Sequence, residues 1–352
     1  MSDEDQPNRP ASPAPAAELG TSPPATSTIL PPSTGFKSHR FAQGQDDADT
    51  DSTLDDNASS TASITSSILE YRTIHGRTYH SEQGNAHYWG SNDEQQIELM
   101  DVTHHILTLG LGDKLHMAPL EKEKVQQVID IGTGTAEVIG TDISPIQPSW
   151  VPPNVRFEIE DCNQEWTFAS DFTDFIHMRW LFGSIKDWDA LCSEAFRVCK
   201  PGAWFESLEA SPVVSSDDNT VDPNSAMGHW GKFFIEGSKK LGNSVTVVED
   251  GTQKKAMEKA GFINIQEFNF KNPIGDWPKD PVMKEMGAYT KYGLETDSEG
   301  FVLFMAHILG WSRPEILVYI AHLRREMRSG KHHGYFAQKL VWGQKPDSAV
   351  TE

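Results

Sequence analysis

The stretch VQQVIDIGTGTAEVIGTDIS, residues 125–144, decides the fold class of this chain. It contains two short apolar runs, VQQVIDIG and EVIGTDIS, on either side of a glycine turn. Apolar runs of this length that end at turn residues are typical of buried strands. Similar runs follow over residues 155–162 and 174–179, and an apolar helix is predicted over residues 190–199. Pro201-Gly202 is expected to stop that helix.

Strands and helices continue to alternate on both sides of this stretch. Ser91 and Glu94 have the spacing of a capping box, so we expect a helix with Ser91 as its N-cap that continues through residues 97–109. The other predicted elements are strands over residues 203–209, 263–270 and 335–343, a helix over residues 253–262 that stops at Gly261, and an amphipathic helix with a basic end over residues 317–328. This alternation predicts an α/β fold with a mostly parallel sheet covered on both faces.

The composition narrows the classes of function. The chain has 352 residues and a formal net charge of −21, which argues against a protein that grips a phosphate backbone. No apolar stretch is long enough for a membrane span, and the start MSDEDQPNRP does not resemble a secretory signal. Three cysteines form no disulfide framework and no zinc motif. We therefore expect a cytoplasmic protein, with the nucleus as a possible second location, and no metal site.

Residues 1–67 differ in composition from the rest of the chain. They are rich in proline, serine and acidic residues and contain only two aromatic residues, Phe36 and Phe41. Such a segment buries too little apolar surface to offset the entropy of ordering it, so we expect a disordered tail followed by one domain over residues 68–352. The tail could bind regulatory partners or be a solvated extension, and its composition favours the extension.

Acidic residues follow three successive predicted strands. Asp130 begins the glycine turn DIGTGT, Asp142 ends the second strand, and Asp161 ends the third strand beside Cys162. The carboxyl ends of parallel strands form the ligand-binding edge of such sheets, where an acid can accept hydrogen bonds from a ribose or an adenine. Turn chemistry at strand ends would select the same residue types. On the residues alone, adenosine binding and ordinary turns explain this pattern equally well.

Several longer segments resemble a known family. VIDIGTGT, VIGTDISPIQPSWVPPNVRFEIEDC, DFIHMRWLFGSIKDW and KPGAWFE are similar to fungal class I S-adenosylmethionine-dependent methyltransferases, and among these they resemble the LaeA-like group associated with secondary metabolism. The upstream segment GRTYHSEQGNAHYWGSNDEQQIELMDVTHH resembles the N-terminal region of the same family. The resemblance extends from about Ile68 to Pro346. It implies a Rossmann-like sheet of seven strands with the last strand, over residues 335–343, antiparallel.

The resemblance also implies a cofactor site for S-adenosylmethionine. Asp130, Gly132 and Gly134 would surround the methionine part of the cofactor. Asp142 would hold the ribose, and Asp161 with Cys162 would flank the adenine. This fingerprint differs from that of nicotinamide-dependent oxidoreductases, because the third glycine is absent and the acid follows the glycine turn too closely.

The acceptor side is less defined by the resemblance. His177 and Arg179 would lie near the transferring methyl group, and Trp204 and Glu206 would border the acceptor. If the acceptor is a hydroxyl, His177 or Glu206 could act as the base, and nothing in the sequence selects one of them. The acceptor is either a small molecule or a protein side chain. Tyr79, Tyr88 and Trp89 could form a lid or could simply pack in the core.

One departure from the family pattern concerns the first crossover. Family members place a helix between the glycine loop and the second strand, whereas this chain enters the second strand almost at once, between Gly134 and Val138. We expect closure to be barely possible if the first strand has five residues, since a return of roughly 16 Å uses nearly the full reach of the connector. The missing helix is also expected to leave apolar surface exposed.

This departure leaves two functions open. The short connector is either a natural variation that weakens the cofactor site or an omission in the gene model. The first hypothesis for function is methyl transfer from S-adenosylmethionine to an unidentified acceptor in secondary metabolism. The alternative is a catalytically impaired relative that acts through protein partners.

Overall fold

The computed structural model describes residues 70–81, 88–129, 137–146 and 151–347. Their main feature is a seven-stranded sheet in the order β5-β4-β3-β6-β7-β9-β8. Its strands are β3 (Gln127–Ile129), β4 (Glu137–Asp142), β5 (Val155–Ile159), β6 (Thr173–Arg179), β7 (Cys199–Ser215), β8 (Ile263–Pro273) and β9 (Tyr335–Gln344). The strands from β5 to β7 are parallel, and β9 runs antiparallel to both β7 and β8. The predicted fold class and the antiparallel last strand are therefore confirmed.

Eight helices and a small hairpin surround this sheet in the described part of the chain. The hairpin consists of β1 (Arg72–Ile74) and β2 (Arg77–Tyr79). The helices are α1 (Glu94–Gly110), α2 (Trp188–Val198), α3 (Ala226–Leu241), α4 (Val247–Asp250), α5 (Thr252–Ala260), α6 (Pro281–Thr296), α7 (Ser298–Leu309) and α8 (Arg313–Arg328). No helix in these residues is both long and apolar enough to cross a membrane.

The two faces of the sheet are buried by different parts of the chain. Alternate residues of β3, β4 and β6, namely Ile129, Ile139 and Ile176, lie in a large core cluster with residues of α2, α3, α5, α7 and α8. Val128, Val138 and Phe175 point to the opposite face, where they lie in a smaller cluster with the end of α1 and the loop that follows it. This alternation follows from the two-residue period of a strand and explains why consecutive positions of β3, β4 and β6 are both apolar.

Two helix boundaries differ from the sequence prediction. The N-cap of α1 is Asp93, which accepts a hydrogen bond from the Gln96 backbone N–H at 3.2 Å, and not Ser91. The Ser91 hydroxyl instead accepts a hydrogen bond from Arg77 at 2.8 Å. Helix α2 ends at Val198, before Pro201-Gly202, because Cys199 already pairs with Thr173 at the start of β7.

The first crossover is shorter than in a standard strand–helix–strand unit. β3 and β4 pair in parallel with Gln127 opposite Glu137, and the seven residues 130–136 that connect them lie outside the described part of the chain. The described part of β3 ends at Ile129, and the return from Ile129 to the level of Gln127, opposite Glu137, covers roughly 7 Å. Ile159 on the edge strand β5 is 40% exposed.

Candidate active site

The acids predicted at the ends of β4 and β5 lie next to each other in the sheet. Asp142 is the last residue of β4, and its backbone carbonyl accepts a hydrogen bond from Glu160 N–H, just before Asp161. Each carboxylate also caps its own turn, Asp142 on Ser144 N–H at 2.8 Å and Asp161 on Asn163 N–H at 3.0 Å. Both carboxylates therefore make the hydrogen bonds that are typical of turns, and these bonds orient them at the carboxyl edge of the sheet.

Cys162 lies within the electrostatic reach of both acids. Burial raises the pKa of its thiol to about 12, and the neighbouring charges of Asp161 and Asp142 act in the same direction. The sulfur is therefore a neutral thiol at physiological pH. A neutral thiol can pack against a flat ring, but it is a poor nucleophile.

Tyr71 and Tyr88 lie within electrostatic range of Asp142. Burial and, to a smaller extent, the charge of Asp142 raise the pKa of Tyr88 to about 12. The pKa of Tyr71 is raised by the same two causes. Trp89, next in the chain, is buried and donates from its indole nitrogen to the Phe182 carbonyl at 3.3 Å. This segment therefore connects the acidic strand ends to the loop after β6.

His177 and Glu206 are neighbours on β6 and β7 and form a buried pair. Nδ1 of His177 lies 3.1 Å from Oε1 of Glu206, while Oε2 of Glu206 accepts the backbone N–H groups of Met117 and Ala118 at 2.8 and 2.7 Å. Glu206 is fully buried, and its two hydrogen bonds hold the loop after α1 against the sheet. His177 donates from Nδ1 to this carboxylate, which leaves Nε2 as the nitrogen that can accept a proton.

Arg179 and Trp204 occupy different levels of the sheet. Arg179 ends β6 and donates to Nδ1 of His104 on α1 at 2.8 Å. Burial lowers the pKa of His104, and the charge of Arg179 lowers it further. Trp204 pairs with Phe175, four positions before the end of β6, and packs in the smaller core cluster. Trp204 is not among the residues that line the cavity beside the loop after β6.

Glu209 is a functional candidate that the sequence reasoning did not single out. It is fully buried on β7, and burial raises the pKa of its carboxyl to about 8. The carboxyl accepts the backbone N–H of Leu181 at 3.3 Å and that of Phe182 at 2.9 Å. Glu209 therefore holds the loop after β6. The signal that could have identified it is a second acid within the apolar strand AWFESLE.

The loop held by Glu209 forms part of the wall of a cavity. Trp180, its first residue, has a φ of +55°, a region that non-glycine residues rarely adopt outside functional or strained sites. The cavity has a volume of about 80 Å³. It is lined by Trp89, Leu99, Val102, Thr103, Ile106, Trp180, Phe182, Ala210, Ser211, Pro212, Trp230, Phe234, Asn272, Tyr289, Thr290, Gly293, Leu294, Phe301, Phe336 and Gln338.

Three predicted residues of the cofactor site, Asp130, Gly132 and Gly134, lie outside the described residues. β3 is described as far as Ile129, which pairs with Ile176, the residue before His177. The described part of the predicted site therefore consists of Asp142, Asp161, Cys162 and His177, all on strands β4 to β6 or directly after them.

Comparison with known proteins identifies the family. Residues 103–267 match the family described as "Methyltransferase domain". The chain is 34% identical over 315 residues to the methyltransferase pytC of Aspergillus terreus, covering 85% of this chain and 96% of that protein. The chain belongs to this methyltransferase family. The methyltransferase is also 30% identical to the probable methyltransferase tdiE of Emericella nidulans, over 73% of this chain and 84% of that one. It is 29% identical to the secondary metabolism regulator LAE1 of Cochliobolus heterostrophus, over 74% of this chain and 90% of that protein.

Solved structures with a similar fold are more distant in sequence. One is the phosphoethanolamine N-methyltransferase 2 of Haemonchus contortus in complex with S-adenosyl-L-methionine, with a TM-score of 0.39 and 16% identity over 71% of this chain and 53% of that one. Family membership makes S-adenosylmethionine the cofactor of this methyltransferase, as the sequence predicted. The two partly buried carboxylates on adjacent strand ends, together with a neutral thiol, suit the hydroxyl, amino and ring groups of an adenosine.

Proposed function

We propose that this protein transfers a methyl group from S-adenosylmethionine to an acceptor of fungal secondary metabolism. The observation that carries the proposal is the placement of Tyr88 and Trp89. The charge of Asp142 contributes to the raised pKa of Tyr88, so these side chains lie within electrostatic range of each other, and Trp89, the next residue, forms part of the cavity wall. We infer from this that the donor site at the strand ends and the acceptor cavity are adjacent. A methyl transferase requires this arrangement of two adjacent sites.

In this proposal, each described residue of the donor site has one task. Asp142 accepts hydrogen bonds from the ribose, and Asp161 with Cys162 flanks the adenine. His177 lies toward the reacting atoms, at the level where β3 and β6 pair. When bound, S-adenosylmethionine supplies an electrophilic methyl group. Trp89 and the loop after β6 keep water away from the acceptor.

The proposed reaction is a displacement at the methyl carbon. A lone pair of the acceptor forms the new bond to carbon while the bond from carbon to sulfur breaks, and the sulfur keeps the electron pair. A hydroxyl acceptor must also lose its proton. Of the two, His177 is the better candidate for the base, because Glu206 already accepts two backbone N–H groups and one from His177. His177 does not line the cavity, so this role requires the acceptor hydroxyl to extend from the cavity toward β6.

Calorimetric titration with S-adenosylhomocysteine tests the donor site. We expect the wild-type chain to bind it, and Asp142→Asn to weaken binding by tenfold or more, because an amide cannot accept both hydrogen bonds of a ribose diol. Asn can still cap the Ser144 N–H, so the turn should remain. Asp113→Asn is the matched control, since Asp113 has a φ of +60°, which Asn tolerates. Equal affinities for the wild-type chain and Asp142→Asn would refute the assignment.

A second candidate function is regulation through protein partners without methyl transfer. Two observations favour it: the seven-residue connector between β3 and β4, and the similarity to proteins named secondary metabolism regulators. The same titration separates the two functions. A folded chain that shows no heat of binding with S-adenosylhomocysteine would support the regulatory alternative.

A further inference from the structure

The cavity beside the loop after β6 differs from the rest of the site in its charge. Among the described residues that line it, none is Asp, Glu, Lys or Arg, although acids lie at the neighbouring strand ends. An anionic ligand would lose its water shell without gaining a basic partner. A cationic ligand would gain cation–π contacts of about 2 kcal/mol at most, less than the several kcal/mol that its desolvation costs. The described lining therefore favours uncharged acceptors.

Aromatic rings form a continuous wall on one side of the cavity. The centroid of Trp89 lies 5.8 Å from that of Phe182 and 5.4 Å from that of Phe234. Trp230 continues the wall, with its centroid 5.3 Å from that of Phe234 and 6.2 Å from that of Phe336. Aromatic walls of this kind bind flat apolar rings in stacked or edge-on contact.

Two buried side-chain amides in this wall, those of Gln338 and Asn272, have one end without a hydrogen-bond partner among the described residues, and Gln338 is the one next to the loop after β6. Gln338 on β9 is 1% exposed, and its Oε1 accepts a hydrogen bond from the indole N–H of Trp180 at 3.2 Å. An indole nitrogen can only donate, so this bond determines which end of the amide faces Trp180. Nε2 of Gln338 is then left at the cavity, without a hydrogen-bond partner among the residues that the structure describes. A buried amide donor of this kind is unfavourable unless a ligand satisfies it.

We propose that this cavity binds a neutral, flat, ring-containing acceptor whose carbonyl or ether oxygen accepts a hydrogen bond from Nε2 of Gln338. The inference rests on the proposed methyl transfer and names the class of its acceptor. Gln338 is a specificity residue: it orients the acceptor ring between the aromatic wall and the loop after β6. The cavity of about 80 Å³ is smaller than the roughly 150 Å³ of a cavity that holds benzene, so the acceptor ring enters it in part and the rest of the acceptor extends through its mouth.

Four single-ring probes test this inference on the full chain by ligand-detected NMR. Acetophenone is neutral and carries a carbonyl, ethylbenzene lacks the carbonyl, and benzoate and benzylammonium carry opposite charges. We expect acetophenone to bind at least tenfold more tightly than either charged probe. Charged probes that bind as tightly as acetophenone, or an acetophenone that does not bind at millimolar concentration, would overturn the proposal.

Gln338→Met separates the role of the amide from that of the cavity. The variant keeps the length of the side chain but removes Nε2, so acetophenone should lose about tenfold in affinity, while ethylbenzene should bind as it does to the wild type. Gln266→Met on the exposed side of β8 is the matched control and should change neither affinity. Equal losses for both probes would show that the cavity had collapsed and that Gln338 only supports its shape, which contradicts the proposal.

The donor site is measured on the same protein samples by titration with S-adenosylhomocysteine. If the probe preferences hold but S-adenosylhomocysteine does not bind, the proposed methyl transfer fails while the cavity still selects neutral rings. If S-adenosylhomocysteine binds but the probes show no preference, the methyl transfer stands and the inferred acceptor class fails.

Discussion

Glu209 is a single residue whose ionisation should be visible in the stability of the whole domain. Burial raises the pKa of its carboxyl to about 8 in the folded chain, against about 4.5 when exposed, and two backbone N–H groups only partly offset this. The folded state therefore binds one more proton than the unfolded state between these values. The stability that Glu209 contributes is fully present below pH 4.5 and is lost as the pH rises through 8.

Glu209→Gln should remove this pH dependence, because an amide does not titrate but can still accept the Phe182 N–H. Relative to the variant, we expect the wild type to lose a few kcal/mol, as an order-of-magnitude estimate, in free energy of unfolding between pH 5 and pH 8. Urea denaturation at several pH values measures this difference. Glu258→Gln on the exposed side of α5 is the control, and its free energy of unfolding should depend on pH as that of the wild type does. If Glu209→Gln also showed the pH dependence of the wild type, the carboxyl of Glu209 would not be buried as the structure describes.

At the scale of elements, Arg77 joins three of them through one guanidinium. It lies on β2 and contacts Asp93, the N-cap of α1, and both carboxylate oxygens of Asp297, the N-cap of α7, at 2.7 and 2.8 Å. Arg77 is 13% exposed and Asp297 is 3% exposed. Removing one partner of a buried pair leaves an uncompensated charge, which is more costly than removing both.

A double-mutant cycle tests this role of Arg77. We expect Arg77→Met to lower the free energy of unfolding by roughly 2–4 kcal/mol, because it leaves two carboxylates unpaired, and Asp297→Asn to lower it by less, because Asp93 still pairs with Arg77. The double variant should lose clearly less than the sum. Asn can still cap the Gly300 N–H, so the loss should come from the charge pair. Lys259→Met, which breaks the exposed pair with Asp189, should have no measurable effect. Additive losses would contradict a coupled pair.

The elements also show which parts of the structure follow from the sequence. The strands were predictable, because buried parallel strands are short apolar runs and their glycine and acidic ends mark the edge. The start of α1 was not predictable, because Ser91 and Asp93 are both suitable N-cap residues. The choice between them depends on Arg77, which precedes Asp93 by 16 residues in the sequence. The acidic residues of the site could be predicted, because they lie at the ends of predicted strands. The cavity could not be predicted, because its walls come from segments as far apart in the sequence as Trp89 and Gln338.

At the scale of the whole molecule, the position of the hairpin predicts where the chain can be shortened. The sequence predicts that residues 1–67 contribute nothing to the core, so residues 68–352 should unfold at the same temperature as the full chain and with the same dependence on denaturant. Residues 82–352 should unfold at a lower temperature. This second truncation removes Arg77 from Asp93 and Asp297, and it removes Tyr79, which is fully buried with its ring centroid 5.4 Å from that of Phe304.

Thermal unfolding of the three chains measures both effects. Equal midpoints for residues 68–352 and 82–352 would mean that the hairpin rests on the domain without stabilising it, and a lower midpoint for residues 68–352 than for the full chain would place part of the domain before residue 68.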